Sequence, residues 1–169
     1  PYIEVLNRIS QLDPDDAGTQ IALAEHLSEV GRTNEAAEHF AAASAYLLDA
    51  DRLEEYVKVA ERYILHRPND LEALKELFQL YLDRRDFRRA LAKLQLLFKT
   101  APKDTEALEF LVEAFIGLEK GRKAVRILKG LADLYTNNGQ EDDAIDAYRR
   151  ILRVSPKDPD ARLNLGLSI

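Results

Sequence analysis

Apolar side chains recur every three or four residues along most of the chain, and polar residues fill the positions between them. This spacing places the apolar side chains on one face of an α-helix, whereas a half-buried strand would alternate them with polar residues. The pattern therefore predicts an all-α protein. Two successive stripes show it: Leu71, Leu74, Leu77, Phe78 and Tyr81, then Phe87, Ala90, Leu91, Leu94 and Leu97.

Prolines divide these helices into intervals of two lengths. Each of four prolines precedes a small acidic cluster, and their separations are 54, 34 and 54 residues: Pro14, Pro68, Pro102 and Pro156. Residues 14–70 also align with residues 102–158 without a gap, at an offset of 88. A fixed period of this size indicates a repeat architecture in which helix pairs stack on their neighbours.

Each 54-residue interval has room for three helices. The middle helix of each, at residues 34–49 and 122–137, fits the repeat pattern both as the second helix of one repeat and as the first helix of the next. We therefore expect each to be a single helix that two repeats share, packed on more than one side.

Local signals mark the helix ends. Three aspartates stand where an N-cap side chain accepts a backbone N–H: Asp70, Asp104 and Asp158. Pro159 fits the first helical position, where its missing N–H costs nothing. Gly31 and Gly139 stand where helices end in a left-handed residue.

Residues 71–104 resemble a tetratricopeptide repeat. The family's large, small and closing positions are occupied by Leu74, Leu77, Tyr81, Phe87, Ala90, Leu94 and Pro102. The chain departs from the family at Phe78 and Val112, where a small residue is usual, and at Leu97, where Ala is usual. The resemblance spans essentially the whole chain and implies a right-handed α-solenoid of about nine helices, forming one domain over residues 1–169.

The ends of the sequence align with half repeats. The start matches a second helix without its first, and the end matches a first helix without its second. We therefore expect a fragment of a longer protein, truncated at both ends, whose end helices expose apolar residues and give weak self-association. The residues expected to mediate it are Leu6, Ile9, Leu163, Leu165 and Leu167.

The formal net charge of −6 is unevenly distributed. Residues 1–83 hold 7 Lys and Arg against 17 Asp and Glu, whereas residues 84–130 hold 12 against 6. Adjacent acidic and basic segments favour charged protein partners over a nucleic-acid surface. The aromatic interleaving typical of single-strand nucleic-acid grooves is missing as well.

Residues able to carry chemistry do not form a recognisable motif. The chain has no Cys, its three His lack metal-ligand spacing, and its Gly residues match no phosphate-binding loop. We expect no enzymatic activity, no metal and no cofactor. Without cysteine, a signal-peptide pattern or a long apolar run, we expect a cytoplasmic protein that does not insert into membranes.

The resemblance implies a concave groove lined by the first helix of each repeat, which holds a segment of a partner. Carried over to this sequence, the groove positions are Glu25, Glu29, Glu72, Lys75, Gln79, Asp83, Glu106, Glu109 and Glu113. Seven carboxylates against one Lys indicate a basic partner segment. The basic clamp of chaperone-binding members is absent, since Ile21, Glu25, Glu76 and Phe110 occupy its positions.

A basic cluster offers a second contact surface for an acidic partner, or is simply a solvated outer face. It consists of Arg84, Arg85, Arg88, Arg89, Lys120, Arg122, Lys123, Arg126 and Lys129.

These features predict a non-catalytic scaffold or adaptor for protein–protein interaction. The resemblance implies bacterial secretion, pilus or motility-polarity machinery, including recruitment of a small Ras-like GTPase. The alternatives are a self-assembling structural spacer and the regulatory domain of a larger enzyme.

Overall fold

This computed structural model describes residues 1–167 of the chain, with only the backbone described for Gln95. These residues form eleven helices and no strand. The all-α prediction is confirmed, whereas the expected number of about nine helices is too low. The helices are α1 Tyr2–Leu12, α2 Ala17–Glu29, α3 Thr33–Asp49, α4 Leu53–His66, α5 Leu71–Asp83, α6 Phe87–Ala92, α7 Leu94–Thr100, α8 Thr105–Gly117, α9 Gly121–Asn137, α10 Glu141–Val154 and α11 Pro159–Asn164.

The chain divides into two compact units, Pro1–Leu77 and Phe78–Ile169. The first unit contains α1 to α4 and the beginning of α5, and the second contains the rest of α5 and α6 to α11. That residues 1–169 act as one domain stays a prediction.

Within each unit, one long helix packs against the helix before it and the helix after it. In the first unit α3 has 17 residues and packs on α2 and α4. In the second unit α9 also has 17 residues and packs on α8 and α10. The prediction of single, shared helices is confirmed, and the buried Phe40 and Ala43 of α3 are among the residues that make its close packing possible.

Within the part of the chain that the structure describes, six turns that follow helices contain a left-handed residue. After α2, Gly31 has φ 79° and the N–H of Arg32 donates to the carbonyl of Leu27 at 2.8 Å, which closes a Schellman turn. The turn after α8 repeats this arrangement with Glu119 at φ 57°. The left-handed residues are Gly31, Asp51, Arg85, Glu119, Gly139 and Gly166, which confirms the prediction for Gly31 and Gly139.

Aspartate side chains cap the helices that follow the prolines. Asp104 accepts the N–H of Ala107 at 2.8 Å, and Asp158 accepts the N–H of Ala161 at 3.0 Å. Asp70 caps α5 in the same way. The three predicted N-caps are therefore confirmed, as is the place of Pro159 at the first position of α11. The structure adds two further caps, since Asp16 accepts the N–H of Gly18 at 3.1 Å and Asp86 accepts the N–H of Arg89 at 3.3 Å.

The segment predicted as one helix after Phe87 is broken at Lys93. The N–H of Lys93 donates to the carbonyl of Ala90 at 3.2 Å, three residues back, and α7 begins at the next residue. A bond to the third rather than the fourth preceding residue tightens the turn and ends α6. Residues 87–100 contain neither Gly nor Pro, so no local sequence signal marks this break.

The exposure of the end helices differs from the prediction at two positions, because Leu165 is half-buried and Leu6 is buried. Leu6 is only 7% exposed, because α1 packs on α2 and Leu6 belongs to its buried side. Ile9, Leu163 and Leu167 are exposed as expected, and α1 further exposes Tyr2, Val5 and Leu12. Leu6 is therefore not a candidate for self-association. Among residues 1–167, no helix has both the length and the apolar character needed to cross a membrane.

Candidate protein-binding surfaces

In the first unit, both predicted groove glutamates of α2 lie next to basic side chains. Glu25 accepts Arg62 of α4 in an ion pair with an N–O distance of 3.2 Å, and Glu29 lies 3.3 Å from the imidazole of His26. The Arg62 guanidinium also lies 5.6 Å from the centre of the Phe40 ring. Sequence reasoning missed Arg62, which partly neutralises this end of the predicted groove.

Two other histidines of the first unit have structural partners. His66 donates from Nδ1 to the carbonyl of Arg62 at 2.9 Å, and a hydrogen bond of 2.8 Å between its Nε2 and the Ser28 hydroxyl ties α4 to α2. His39 bonds through Nδ1 to Gln20 at 2.7 Å, and burial lowers the pKa of His39. Across residues 1–167 no group of three His, Asp or Glu is arranged to hold a metal ion.

The predicted groove residues of α5 belong to different units. Glu72 is exposed and Lys75 is half-buried in the first unit. In the second unit Gln79 donates to Asp83 at 2.7 Å, one helical turn further on. This local bond engages the polar ends of both side chains, so a ligand would have to compete with it.

The three glutamates of α8 are not equivalent. Glu109 accepts the Tyr135 hydroxyl of α9 at 2.9 Å and Arg150 of α10 at 2.7 Å. Burial and this carboxylate raise the pKa of Tyr135 to about 12. Glu109 thus joins three helices, while Glu106 and Glu113 are exposed on either side of it.

Arg62 and Arg150 are the residues of these surfaces that sequence reasoning did not select. They are 88 residues apart, so the repeat alignment places them at the same position of α4 and α10. Arg62 pairs with the predicted groove residue Glu25 of α2, and Arg150 pairs with the predicted groove residue Glu109 of α8. An arginine repeated at this offset was the signal available in the sequence.

The basic cluster lies in the second unit, where two of its segments are brought together. The Phe87 ring packs against Gly117, where a Cβ atom would lie 2.3 Å from it, so the turn after α5 lies beside the turn after α8. Arg85 and Lys123 lie over the aromatic rings of Phe87 and Phe115.

Lys129 behaves differently from the rest of the basic cluster. It bonds to Asp160 at 2.7 Å and to Asp158 at 3.0 Å, and these carboxylates raise the pKa of Lys129. Lys129 therefore fastens α9 to the start of α11. Arg88, Lys120, Arg122 and Arg126 are exposed.

Several grooves formed by the described residues have the size of a small ligand or a side chain. A groove of about 450 Å³ is lined by Gly121, Arg122, Val125, Val154 and Ser155, and two further grooves are richer in apolar surface. One, of about 410 Å³, lies in the second unit and is almost entirely apolar, with Leu94, Phe98, Leu111, Phe115 and Ile127 among its lining residues. The other, of about 260 Å³, lies in the first unit between α3, α4 and α5 and combines small apolar residues with carboxylates.

The family model of the tetratricopeptide repeat matches residues 125–168. The match begins in α9, so it uses α9 as the first helix of a repeat, in agreement with the shared role predicted for this helix. The fold is similar to that of a solved structure, "MamA RS-1 ArsTM double mutant", with a TM-score of 0.58 and 17% sequence identity. The similarity covers 97% of this chain and 89% of the chain in that structure. The predicted all-α fold is confirmed, and residues 125–168 match the tetratricopeptide repeat as predicted.

Curated relatives match part of the chain. The photosystem I assembly protein Ycf3 of Prochlorococcus marinus subsp. pastoris is 35% identical over 63 residues, which is 37% of this chain and 36% of the relative. The protein of the same name from Synechococcus sp. (strain CC9605) is 39% identical over 62 residues, with the same coverage. The chain thus spans about a third of the length of the curated relatives it matches.

Proposed function

We propose that this chain is a non-catalytic scaffold that binds partner proteins through the acidic face of the first helix of each predicted repeat, because residues 125–168 match the tetratricopeptide repeat. The contact residues proposed are those of the groove prediction: Glu25, Glu29, Glu72, Lys75, Gln79, Asp83, Glu106, Glu109 and Glu113.

The observation that carries the proposal is the exposed face of α8. Glu106 and Glu113 are exposed two turns apart, and Glu109 between them is held in place by Tyr135 and Arg150. Ile116, 46% exposed, adds apolar area to this helix. A surface that combines carboxylates and apolar groups suits a partner segment that is basic and partly apolar.

The charges act together rather than singly. Exposed ion pairs contribute about 0–1 kcal/mol each, so no single glutamate decides the affinity. Several carboxylates on one face add their potentials, which speeds association with a basic segment and sets its orientation. The basic cluster of the second unit is the alternative surface, suited to an acidic partner.

The names of the relatives favour a role in assembly. Proteins named for photosystem I assembly match a third of this chain, and we propose that this chain likewise holds partner proteins while a larger complex forms. The family resemblance implies an alternative setting, which is bacterial secretion, pilus or motility-polarity machinery with recruitment of a small Ras-like GTPase.

Selection from a phage-displayed library of random peptides tests the proposal without a known partner. We expect the selected peptides to be enriched in Lys and Arg, and to lose binding to a Glu106→Lys/Glu113→Lys variant. Glu109 is left unchanged, because lysine at that position would place a second cation beside Arg150.

An Asp133→Lys/Asp146→Lys variant serves as the matched control, since it makes the same charge change at two exposed positions of α9 and α10. This control should retain binding. Selected peptides that are acidic would instead assign recognition to the basic cluster. Peptides that bind both double variants equally well would refute the proposed surface.

A further inference from the structure

The groove of the first unit combines an apolar floor with a carboxylate rim. Its volume is about 260 Å³, and it lies between α3, α4 and the start of α5. The floor consists of small or aliphatic residues, among them Ala41, Ala45, Leu48, Ala60 and Ala73. Three acidic residues line the same groove from the α5 side: Asp70, Glu72 and Glu76.

Two tyrosines of α4 orient two of these carboxylates, Asp70 and Glu76. The Tyr63 hydroxyl donates to Asp70 at 2.5 Å, and Tyr56, which is 3% exposed, bonds to Glu76. A phenol occupies only part of the accepting capacity of a carboxylate, which has about four lone-pair sites. The rim therefore keeps its negative charge and further acceptor sites, in an orientation that the tyrosines fix.

Ser44 of α3 supplies an independent sign of a ligand. It lines the groove, it is 9% exposed, and its hydroxyl has no hydrogen-bond partner in the structure. Buried polar groups are nearly always paired, so an unpaired hydroxyl in a groove marks a place that a ligand donor can satisfy. Alanine at this position would fit the floor equally well, so packing does not require the hydroxyl.

We infer that this groove receives a basic side chain, lysine or arginine, from a bound protein segment. The aliphatic stem lies along the alanine floor, and the N–H groups donate to the Ser44 hydroxyl and to the rim carboxylates. Long basic side chains commonly bury their stems in this way while the charged head meets an acceptor. The inference rests on the proposed function and adds to it a site for one residue of the partner.

Nuclear magnetic resonance titration with short capped peptides tests the inference directly. The probe is a Gly- and Ala-flanked lysine peptide, compared with versions in which arginine, norleucine or glutamate replaces the lysine. We expect lysine and arginine peptides to shift the amide signals of groove residues, most of all Ser44, Ala45 and Ala73. Norleucine keeps the stem without the charge and should bind at least about tenfold more weakly, since each tenfold corresponds to about 1.4 kcal/mol.

Two variants with matched controls identify the groove. Ala45→Leu fills it from an exposed position of α3 and should weaken the lysine peptide at least about fivefold, whereas Ala42→Leu, also exposed but outside the groove, should not. Glu76→Gln removes a rim charge and should weaken binding, whereas Glu38→Gln on α3 should leave it unchanged.

The inference is overturned if norleucine binds as well as lysine, if Ala45→Leu has no effect, or if the shifts occur on α8 instead. Its failure is distinct from failure of the proposed function, because the peptide selection reads out Glu106 and Glu113 in the second unit. If the groove fails while selected peptides still depend on Glu106 and Glu113, the proposed function stands.

Discussion

Glu109→Gln and Arg150→Met, made singly and together, measure how much the contact between α8, α9 and α10 stabilises the second unit. Glu109 accepts Arg150 at 2.7 Å and the Tyr135 hydroxyl at 2.9 Å. Glutamine keeps the size of the side chain and one acceptor oxygen, and methionine keeps an apolar stem. The double-mutant cycle therefore isolates the interaction between the two charges.

The partial burial of this pair sets its magnitude. The side chains of Arg150 and Glu109 are 24% and 31% exposed. Exposed ion pairs contribute about 0–1 kcal/mol to stability, and hydrogen bonds to charged groups contribute about 1.5–3 kcal/mol. The Arg150–Glu109 pair lies between these cases, so its coupling free energy should be about 1–1.5 kcal/mol. The Arg32–Glu35 pair is shorter, at 2.6 Å, but 47% and 50% exposed within one helical turn. We therefore expect weaker coupling from the Arg32–Glu35 pair, because solvent screens it.

Urea titrations followed by far-UV circular dichroism give the free energies of unfolding for the Arg150–Glu109 cycle and for a matching Arg32–Glu35 cycle. Both cycles are measured at low salt and at about 1 M NaCl, where the Debye length is about 3 Å. We expect the coupling of Arg150 and Glu109 to exceed that of Arg32 and Glu35 about threefold or more and to survive the added salt better. A coupling no larger than that of the exposed pair would refute the reasoning that burial, rather than distance, determines the strength of these contacts.

Three further predictions concern the turns and the α3–α5 region. Glu119 and Gly31 both have left-handed backbone conformations, which favour glycine. In urea titrations, Glu119→Gly should therefore raise the free energy of unfolding by about 0.5–1 kcal/mol, whereas Gly31→Ala should lower it by about 1 kcal/mol. Equal changes in the free energy of unfolding for the two variants would contradict this reasoning. Burial and Glu76 raise the pKa of Tyr56 to about 12, so the folded state keeps a proton that the unfolded chain releases near pH 10. The free energy of unfolding should therefore fall between pH 10 and pH 12, by up to about 1.4 kcal/mol per pH unit. Tyr56→Phe should reduce this slope when the free energy of unfolding is measured against pH. Ser44→Ala should stabilise the protein by about 1 kcal/mol in thermal or urea unfolding, since it removes an unpaired buried hydroxyl; a loss of stability would show that the hydroxyl is satisfied.

Much of the fold could be predicted because its signals are local and periodic. The proline spacing, the caps at Asp70, Asp104 and Asp158 and the apolar stripes all act within one or two helical turns, and the repeat offset of 88 residues supplied the shared helices. The break at Lys93 could not be predicted in this way, since neither Gly nor Pro marks it. Three further turns place Asp51, Arg85 and Glu119 in a left-handed conformation that sequence favours only for Gly or Asn.

The candidate surfaces were less predictable, because they depend on contacts between helices far apart in sequence. Position within a helix selected Glu25 and Glu109 as groove residues, which stays a prediction, but it could not show that Arg62 and Arg150 reach them from α4 and α10. Lys129 was assigned to a basic surface by proximity in sequence, whereas Asp158 and Asp160 hold it in place. Partner choice among long charged side chains is decided by tertiary packing, which a helix pattern does not encode.

The salt dependence of binding to a selected basic peptide, compared between the unaltered chain and the Glu106→Lys/Glu113→Lys variant, tests the central claim most directly. Two reversals at about 0.5–1 kcal/mol each should weaken the peptide about 5- to 30-fold near physiological salt. They should also flatten the dependence of affinity on salt, while Asp133→Lys/Asp146→Lys keeps both the affinity and the slope. Unchanged affinity and slope in the Glu106→Lys/Glu113→Lys variant would contradict the claim that the acidic face of α8 recognises a protein partner.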